Sequence, residues 1–329
     1  MQTLLARLRP LSAFGTPPKG DTLFGQLCWA TRHRFGEGRL ADWLAGYTGG
    51  APFLVVSDAL PAGHLPRPAL PGHWFDEVEN ADRKAVKKRR WLPLDRAGEP
   101  LAAWLRHCVG DADLVQSHPG EHQATDKPQR FVASHPQPHN SLSRVTGPTG
   151  GGAFAPYQTE QYWYAPGAAL DLWLIHDPAR IGRDDIAALL VDVGAFGFGR
   201  DASIGLGKFE VLAVDAAELP AQPGANAWLT LAPCAPQGLA WRPERCFYQP
   251  FTRFGRHGDR AVQSGRPFKN PVLLAQTGAL LAPQNFASRS FTGQGLGGDG
   301  LLSRAIAATV HQGYAPVVAV ALPAREAAA

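Results

Sequence analysis

Two glycine triplets close together constrain the fold of this chain more than any other feature. Gly197–Gly199 and Gly205–Gly207 each read glycine, apolar residue, glycine, and five residues separate them. A helix is predicted before the first triplet and a strand after the second, so the chain turns sharply between two regular elements. Glycine allows positive φ and the close approach of a second backbone. Residues 197 to 207 therefore predict a tight loop whose amides can face an anion such as phosphate.

This loop differs from the phosphate loops of nucleotide enzymes. It leaves a helix and enters a strand, which is the reverse of a dinucleotide-binding turn, and the sequence has no GxxxxGK[ST] pattern. Arg200, Ser203 and Lys208 add cationic and hydroxyl donors that suit phosphate oxygens. A tight turn that needs glycine only for packing is the alternative interpretation.

Six predicted elements surround the loop in the order β-α-β-β-α-β. Alternating hydrophobicity indicates the strands, and apolar stripes at helical spacing indicate the helices. Asp21 is the expected N-cap of the first helix, and Gly36 is its expected end. In chain order the elements are strand 4–14, helix 21–35, strands 52–57 and 170–176, helix 183–193 and strand 208–214. This order is ferredoxin-like.

The predicted fold class is α+β, with two ferredoxin-like (RRM-like) domains. The first is expected at 1–217 and the second at 218–329, because a stretch rich in Ala, Pro, Gln and Gly follows Asp215. The second domain is expected to be degenerate, since it has few clear helices and its glycine-rich segment at 293–300 only loosely repeats the first. Its strand-like segments are 227–231, 245–251, 272–275 and 317–322.

Charge is compatible with a nucleic-acid partner without deciding for one. The net charge is +4 and the isoelectric point is near 9.0. Basic residues concentrate between Arg83 and Arg90, where they could neutralise several phosphates or face an acidic patch on a protein. A solvated surface run is the alternative interpretation.

Cysteine usage and hydropathy limit the class of protein further. The cysteines are scattered, with no CxxC pair and no Cys/His cluster at zinc-site spacing, so we expect reduced thiols, no metal and no cofactor. The chain opens without a signal-peptide pattern, and no run of about 20 apolar residues follows. We therefore expect a cytoplasmic protein with no membrane partner.

A polar segment from His139 to Thr159 carries residues suited to single-stranded RNA. Its side chains offer donors and acceptors for phosphates, 2′-hydroxyls and base edges. These residues are His139, Asn140, Ser141, Ser143, Arg144 and Thr146. Aromatic residues on which bases could stack lie in and after the segment, although core packing is the favoured interpretation for them. These are Phe154, Tyr157, Tyr162, Trp163 and Tyr164.

Together these features resemble the RAMP superfamily of CRISPR proteins, whose members share such a glycine loop and bind RNA through it. Three segments are similar to the Cas5-like subunit of type III-A (Csm) complexes, and the similarity extends over nearly the whole chain. They are DTLFGQLCWA at 21–30, HNSLSRVTGPTGGGAFAPYQTEQYWY at 139–164 and HQGYAPVVAVAL at 311–322.

The resemblance implies a noncatalytic subunit that binds the 5′ handle of the CRISPR RNA (crRNA). It implies two protein partners, a large polymerase-like subunit and an adjacent backbone RAMP subunit. It also implies a β-hairpin thumb inserted in the first domain, at about 135–165, beside the RNA. The expected RNA-binding residues are Lys19, His139, Asn140, Ser141, Arg144, Thr146, Gly197, Gly199, Arg200, Ser203, Gly205, Gly207 and Lys208.

Two alternatives remain open at the level of sequence. The first is a RAMP endoribonuclease that processes repeat RNA without a metal, using a histidine as general acid or base. Its candidate histidines are His33, His107, His118 and His139. The second is the equivalent capping subunit of another type III subtype, although the DTLF and HNSLSR segments favour the Csm branch.

Overall fold

The computed structural model describes residues 1–78, 82–117, 130–258, 262–263 and 265–324, and it mixes helix and sheet. The helices are α1 Gly20–Phe35, α2 Glu37–Leu44, α3 Arg83–Lys88, α4 Trp104–His107, α5 Asp111–Ser117 and α6 Arg183–Phe196. The strands are β1 Gln2–Pro10, β2 Leu54–Val56, β3 Leu60–Pro61, β4 His64–Pro66, β5 Trp91–Pro93, β6 Val132–His139, β7 Tyr157–Tyr164, β8 Leu170–His176, β9 Phe209–Ala216, β10 Ala227–Thr230, β11 Pro250–Arg253, β12 Val272–Ala275, β13 Leu280–Leu281, β14 Phe291–Gly297 and β15 Val310–Val320.

The first sheet has the hydrogen-bonded order β2-β8-β1-β9, with β3 also paired to β8, and every pairing is antiparallel. Alternation along β1 explains its position. Leu4, Ala6 and Leu8 are buried on the face that α1 and α6 cover. The elements β1, α1, β2, β8, α6 and β9 therefore occur in the predicted β-α-β-β-α-β order.

The second sheet has the order β13-β10-β15-β14. Its central strand β15 is buried along almost all of its length, because sheet neighbours flank it and other elements pack on its faces. Within the described residues from 218 to 324 there is no α-helix, and the helical segments are short 3-10 turns such as Pro243–Arg245. Expecting few helices in this half was correct.

The two sheets share contacts at strand β2. The backbone N–H of Val56 donates to Oε1 of Gln312 at 2.8 Å, and Nε2 of Gln312 donates to the carbonyl of Val56 at 2.8 Å. Gln312 is fully buried, so its side-chain amide acts as one more strand residue beside β2. This satisfies backbone groups at the edge of the first sheet, which would be costly to bury unpaired.

A buried ion-pair cluster also joins the two halves. Arg253 on β11 donates from Nε and Nη2 to the carboxylate of Asp21 on α1, at 2.7 and 2.9 Å. Nε2 of His311 on β15 lies 3.4 Å from the same carboxylate. Burial opposes ionisation of Asp21, but His311 and Arg253 outweigh it and hold the pKa of this carboxyl well below its usual range.

Several sequence predictions need correction. Asp21 is not the N-cap of α1, because Lys19 takes that position and Asp21 is used in the buried ion pair instead. The first strand ends at Pro10 rather than residue 14. The segment predicted as a strand at 245–251 begins as a 3-10 turn, and strand β11 starts only at Pro250.

The predicted end of α1 is confirmed. Gly36 ends α1 with φ of 90°. The four cysteines are free thiols. In the part of the chain that the structure describes, every helix is too short or too polar to cross a membrane.

Candidate nucleic-acid interface

The first and last glycines of the loop, Gly197 and Gly207, allow its two ends to approach closely. Gly197 and Gly207 have φ of 100° and 71°, which side-chain-bearing residues rarely adopt. A Cβ on Gly207 would lie 2.1 Å from the carbonyl oxygen of Phe198, and one on Gly197 would lie 2.4 Å from that of Leu206. These two positions therefore require glycine for close approach, which the packing interpretation of the loop predicts.

The other two glycines of the loop, Gly199 and Gly205, have different surroundings. Gly199 has φ of 79° and lies against Thr16, where a Cβ would come within 2.8 Å of the threonine Cβ. Gly205 has φ of 100°, and a Cβ there would have open space around it. The exposed Ser203 precedes Gly205 by two residues. The rim of the loop is therefore accessible, and glycine at 205 is required only by its backbone conformation.

Arg200 ties the loop to two other segments. Its backbone N–H donates to Oγ1 of Thr16 at 3.1 Å, and its Nε donates to the carbonyl of Gly15 at 3.2 Å. Its Nη2 donates to the carbonyl of Glu160 on strand β7. Arg200 therefore positions the loop relative to β7, and its guanidinium is also partly exposed beside Asp201.

Lys208 is held at the end of helix α6. Its Nζ donates to the carbonyl of Ala195 at 2.7 Å, which satisfies one of the last carbonyls of the helix. Its backbone N–H donates to Oγ of Ser12 at 2.9 Å. An ammonium has three donor hydrogens, so this contact leaves donors for an anion while fixing the side chain.

Strands β6 and β7 form the hairpin expected in the first domain. They pair antiparallel from Val132 opposite Tyr164 to His139 opposite Tyr157. Phe14 and Tyr162 exchange two backbone hydrogen bonds of 2.9 Å, which attach the base of the hairpin to the segment after β1. The same segment, from 12 to 16, contacts the glycine loop, so the structure brings the hairpin base and the loop together.

The residues predicted to bind RNA at 139–146 lie at the tip of this hairpin. Asn140, Arg144 and Thr146 are exposed, and Ser141 is half-buried. The ring of His139 stacks on Tyr157 with centroids 5.0 Å apart, and its Nε2 lies 3.0 Å from Oγ1 of Thr159. The tip is therefore open to a ligand, and the predicted donors are not consumed by core packing.

The predicted aromatic residues separate into two groups. Phe154, Tyr157 and Trp163 are at least 39% exposed, so the core-packing interpretation is wrong for them. Tyr162 and Tyr164 pack against the hydrophobic core that lies between the first sheet and helices α1 and α6. Burial there raises the pKa of Tyr164. Because strand residues alternate between faces, neighbours on β7 have opposite surroundings.

Lys19 lies at the start of α1 in a carboxylate contact. Its Nζ donates to Asp58 at 2.8 Å, and the same carboxylate accepts hydrogen bonds from the N–H of Gly20 and the hydroxyl of Thr277. Lys19 also lines a cavity of about 250 Å³ at the hairpin base, with Trp91, Tyr162 and Tyr164 among the other lining residues. The sequence did not indicate Asp58 as its partner.

The basic run divides between structure and surface. Arg89 donates to the carbonyls of Leu105 and Arg106, and Arg90 pairs with Asp111 at 3.0 Å. Arg83, Lys84, Lys87 and Lys88 lie on the short helix α3 and are exposed. Arg90 is exposed as well, so within the basic run only Arg89 and Val86 are half-buried.

The histidines proposed for catalysis do not converge. His107 lies 2.7 Å from Glu99, His139 is on the hairpin, and His33 is exposed at the end of α1. His118 lies outside the described residues. The three described histidines therefore lie on three separate elements, α1, α4 and the β6–β7 hairpin.

Two residues at this site were not predicted. Thr16 accepts from the loop, and Ser12 fixes Lys208. A signal existed for Thr16, because it lies in the Gly/Pro loop that follows β1 in the sequence. None existed for Ser12, whose contact partner is 196 residues away.

Comparisons with known proteins give matches among solved structures. One matched chain belongs to a Csm1-Csm4 cassette in complex with pppApA, with TM-score 0.57, 17% identity, and coverage of 98% of this chain and 99% of that one. A second belongs to a Csm1-Csm4 cassette in complex with AMPPNP, with TM-score 0.55, 17% identity, and coverage of 99% and 100%. A third belongs to a Csm3-Csm4 subcomplex of the type III-A CRISPR-Cas interference complex, with TM-score 0.57, 11% identity, and coverage of 96% and 98%.

Csm4 is the component that these assemblies have in common. This chain shares the Csm4 fold. The alignments extend over nearly the whole of this chain and of each matched chain. No protein-family model and no curated protein matches the sequence, so the relation is carried by structure.

Proposed function

We propose that this chain is a noncatalytic crRNA-binding subunit of a type III-A CRISPR interference complex. It holds and positions the 5′ handle of the guide RNA and anchors the large polymerase-like subunit. In this proposal two ferredoxin-like units, at 1–217 and 218–329, form the scaffold, and an adjacent backbone RAMP subunit binds the RNA beyond the handle. A fold shared over the full chain with Csm4 supports this assignment.

One observation carries the RNA part of the proposal. The glycine loop and the hairpin are 40 residues apart at their point of contact, yet Arg200 donates to Glu160 and both segments contact residues 12 to 16. Loop amides, hydroxyls and cations suit phosphates, and exposed hairpin residues suit bases and 2′-hydroxyls. A single strand can therefore use backbone contacts at the loop and base contacts at the hairpin.

The proposed RNA site has two parts. Loop residues Gly199, Arg200, Ser203, Gly205 and Lys208 face phosphates, with Lys19 nearby at the start of α1. Hairpin-tip residues His139, Asn140, Ser141, Arg144 and Thr146 face bases and sugars. We assign Gly197 and Gly207 to shaping the loop, since their close backbone contacts leave no room for a ligand.

The test compares guide RNA that has an intact 5′ handle with the same RNA lacking it. Gly205→Asp adds a negative charge at the open rim, and Gly205→Asn imposes the same backbone cost without the charge. We expect the wild type to prefer the handle-bearing RNA, and the Asp variant to bind it roughly 10-fold more weakly than the Asn variant, since one close like charge costs about 1.4 kcal/mol.

Equal binding of the two RNAs by the wild type would contradict handle capture. Equal affinities of the Asp and Asn variants would mean that the glycine loop does not contact the RNA. The proposed site would then consist of the hairpin alone. Incubation of the protein with repeat RNA in the absence of metal checks the noncatalytic assignment, because an endoribonuclease would cleave that RNA.

A further inference from the structure

The second half of the chain presents an exposed apolar surface that the proposed RNA site does not use. Strands β11 and β12 continue beyond their ladder as paired chain segments, and we refer to residues 250–257 and 267–275 as the ribbon. Beyond β11, the N–H of Lys269 donates to the carbonyl of Gly255 and that of His257 to Pro267, both at 2.8 Å. The ribbon is therefore a defined hydrogen-bonded element.

Large apolar side chains of the ribbon face solvent. Phe254 is 75% exposed, and Phe268 and Leu273 are each 68% exposed. Leu301 is 75% exposed, and its carbonyl accepts a hydrogen bond from the side chain of Asn270, which places it beside the ribbon. Three such side chains on one short element, with a fourth beside it, exceed the scattered exposure that is normal for a soluble protein, and such patches mark binding sites.

The charges of the ribbon select the chemistry of a partner. Within 250–257 and 267–275 the cationic residues are Arg253, Arg256 and Lys269, and there is no carboxylate. Arg253 is paired with the buried Asp21 and Lys269 is half-buried, so neither is a fully exposed surface cation. Arg256 is exposed, and its guanidinium lies 5.7 Å from the centre of the Phe268 ring.

One exposed arginine is few for binding a nucleic acid, where several phosphates are commonly neutralised. An apolar centre with arginine beside an aromatic ring is instead typical of protein interfaces, in which lysine and carboxylates are depleted. The complementary surface is apolar, with a carboxylate opposite Arg256.

The position of the ribbon also separates it from the proposed RNA site. It contacts α1 at Asp21 through Arg253 and then runs along the helix, since Gly258 lies against the indole of Trp29. From Asp21 to Trp29 an α-helix rises about 12 Å. The distal end of the ribbon is therefore displaced along α1 from the helix start, where Lys19 lies.

We infer that the ribbon is a docking surface for the large subunit of the complex, which presents an apolar patch with carboxylates. The inference rests on the proposed function for the presence of that subunit. A backbone subunit that follows the same RNA strand is expected where the RNA leaves the loop and hairpin. The distal end of the ribbon, displaced along α1 from Lys19, suits the partner that does not follow the strand.

The experiment measures the affinity of the full chain for the purified large subunit from the same system. Variant Phe254→Ala with Leu273→Ala removes an aromatic and an aliphatic side chain, and we expect affinity to fall at least about 10-fold, as for two interface anchors. Arg256→Glu is expected to weaken binding of the large subunit, by a larger factor at low salt than at high salt. Val191→Ala, 53% exposed on α6, is the matched control and should bind as the wild type does.

Handle-bearing guide RNA is measured with the same variants and with Phe254→Ala and Leu273→Ala as single changes, and its affinity should not change. Loss of RNA affinity in Phe254→Ala and not in Leu273→Ala would identify a base-stacking surface and overturn the inference. Unchanged affinity for the large subunit would also overturn it, while leaving the proposed function intact. A wild-type chain that binds no large subunit would contradict the anchoring part of the proposed function itself.

Discussion

Two glycine-rich segments of this chain look alike in sequence and do different things in the structure. Residues 197–207 form a loop between α6 and β9, whereas residues 293–300 begin as part of strand β14. In the first segment Gly197 lies against the backbone of Leu206, Gly207 lies against that of Phe198, and the rim at Gly205 is open. In the second, a Cβ on Gly295 would lie 2.6 Å from the carbonyl oxygen of Tyr47.

Glycine has a different role in each of the two segments. In β14 glycine permits close packing of the second sheet against the turn at Tyr47, whose carbonyl also accepts from the hydroxyl of Tyr314 at 2.6 Å. In the loop, glycine creates a conformation that leaves polar groups at the surface. Repetition of a glycine pattern is therefore weak support for repetition of an RNA contact.

The largest effect is expected from removing the buried ion pair that joins the two halves of the chain. Asp21→Asn leaves Arg253 buried without its anionic partner, so we expect a loss of about 3–5 kcal/mol in the free energy of unfolding at pH 7. Urea unfolding of the two proteins measures it. Asp184→Asn is the control, because Asp184 is 94% exposed in the first turn of α6 and should cost well under about 1 kcal/mol.

The pH dependence of stability tests the same ion pair. The pKa of Asp21 in the folded protein lies below its unfolded value of about 3.9, so its stabilising contribution is complete above that value and is lost as pH falls through the folded pKa. The wild type should therefore lose more stability than Asp21→Asn between pH 5 and pH 3, taken as roughly the range around that value. Parallel pH profiles would contradict a stabilising ion pair at this position.

A smaller effect is expected from Gly295→Ala, which tests the packing role of the second glycine segment. The added methyl group would collide with the backbone and ring of Tyr47, and overpacking of this kind costs about 1–3 kcal/mol. Thermal unfolding should show the loss, while affinity for handle-bearing RNA stays at the wild-type level. Gly298→Ala is a neighbouring control, since its nearest atom would be 3.7 Å away and only its positive φ opposes the change.

A selective loss of RNA affinity in Gly295→Ala, with normal stability, would reverse this assignment. It would make the two glycine segments functionally equivalent after all.

Local patterns predicted the first half of the fold well. Alternation and helical stripes located β1, α1, β2, β8, α6 and β9 to within a few residues, because each of these elements buries one face of its own sequence. Pro136 and Pro138 lie within β6, where proline is tolerated because this strand pairs on one side only.

Long-range partners could not be predicted in the same way. Asp21 is at a position where a capping residue is common, and its partner Arg253 is 232 residues away. Strand β14 was missed because glycine disfavours strands, while the contact with Tyr47 that requires glycine exists only in the folded chain. The residues at 139–146 were recognisable by donor chemistry, but their place at a hairpin tip depends on the β6–β7 pairing.

The smallest expected effect concerns how the glycine loop and the hairpin depend on each other. Arg200 donates to the carbonyls of Gly15 and Glu160, so it holds the loop against β7 by geometry rather than by charge. Arg200→Lys keeps the charge but loses the forked donor geometry, and Arg200→Gln loses both. We expect stability to change by about 1 kcal/mol or less in each, because the side chain is partly exposed.

If positioning is the main role of Arg200, both variants should bind handle-bearing RNA a few-fold more weakly, and hydrogen exchange at the base of the hairpin should be faster in both. If direct phosphate contact dominates, the lysine variant should bind as the wild type does and only the glutamine variant should weaken, with a smaller salt dependence. The first outcome makes loop and hairpin one site, because a change in the loop then alters a strand 40 residues away in sequence. The second would leave them as two neighbouring sites on one surface.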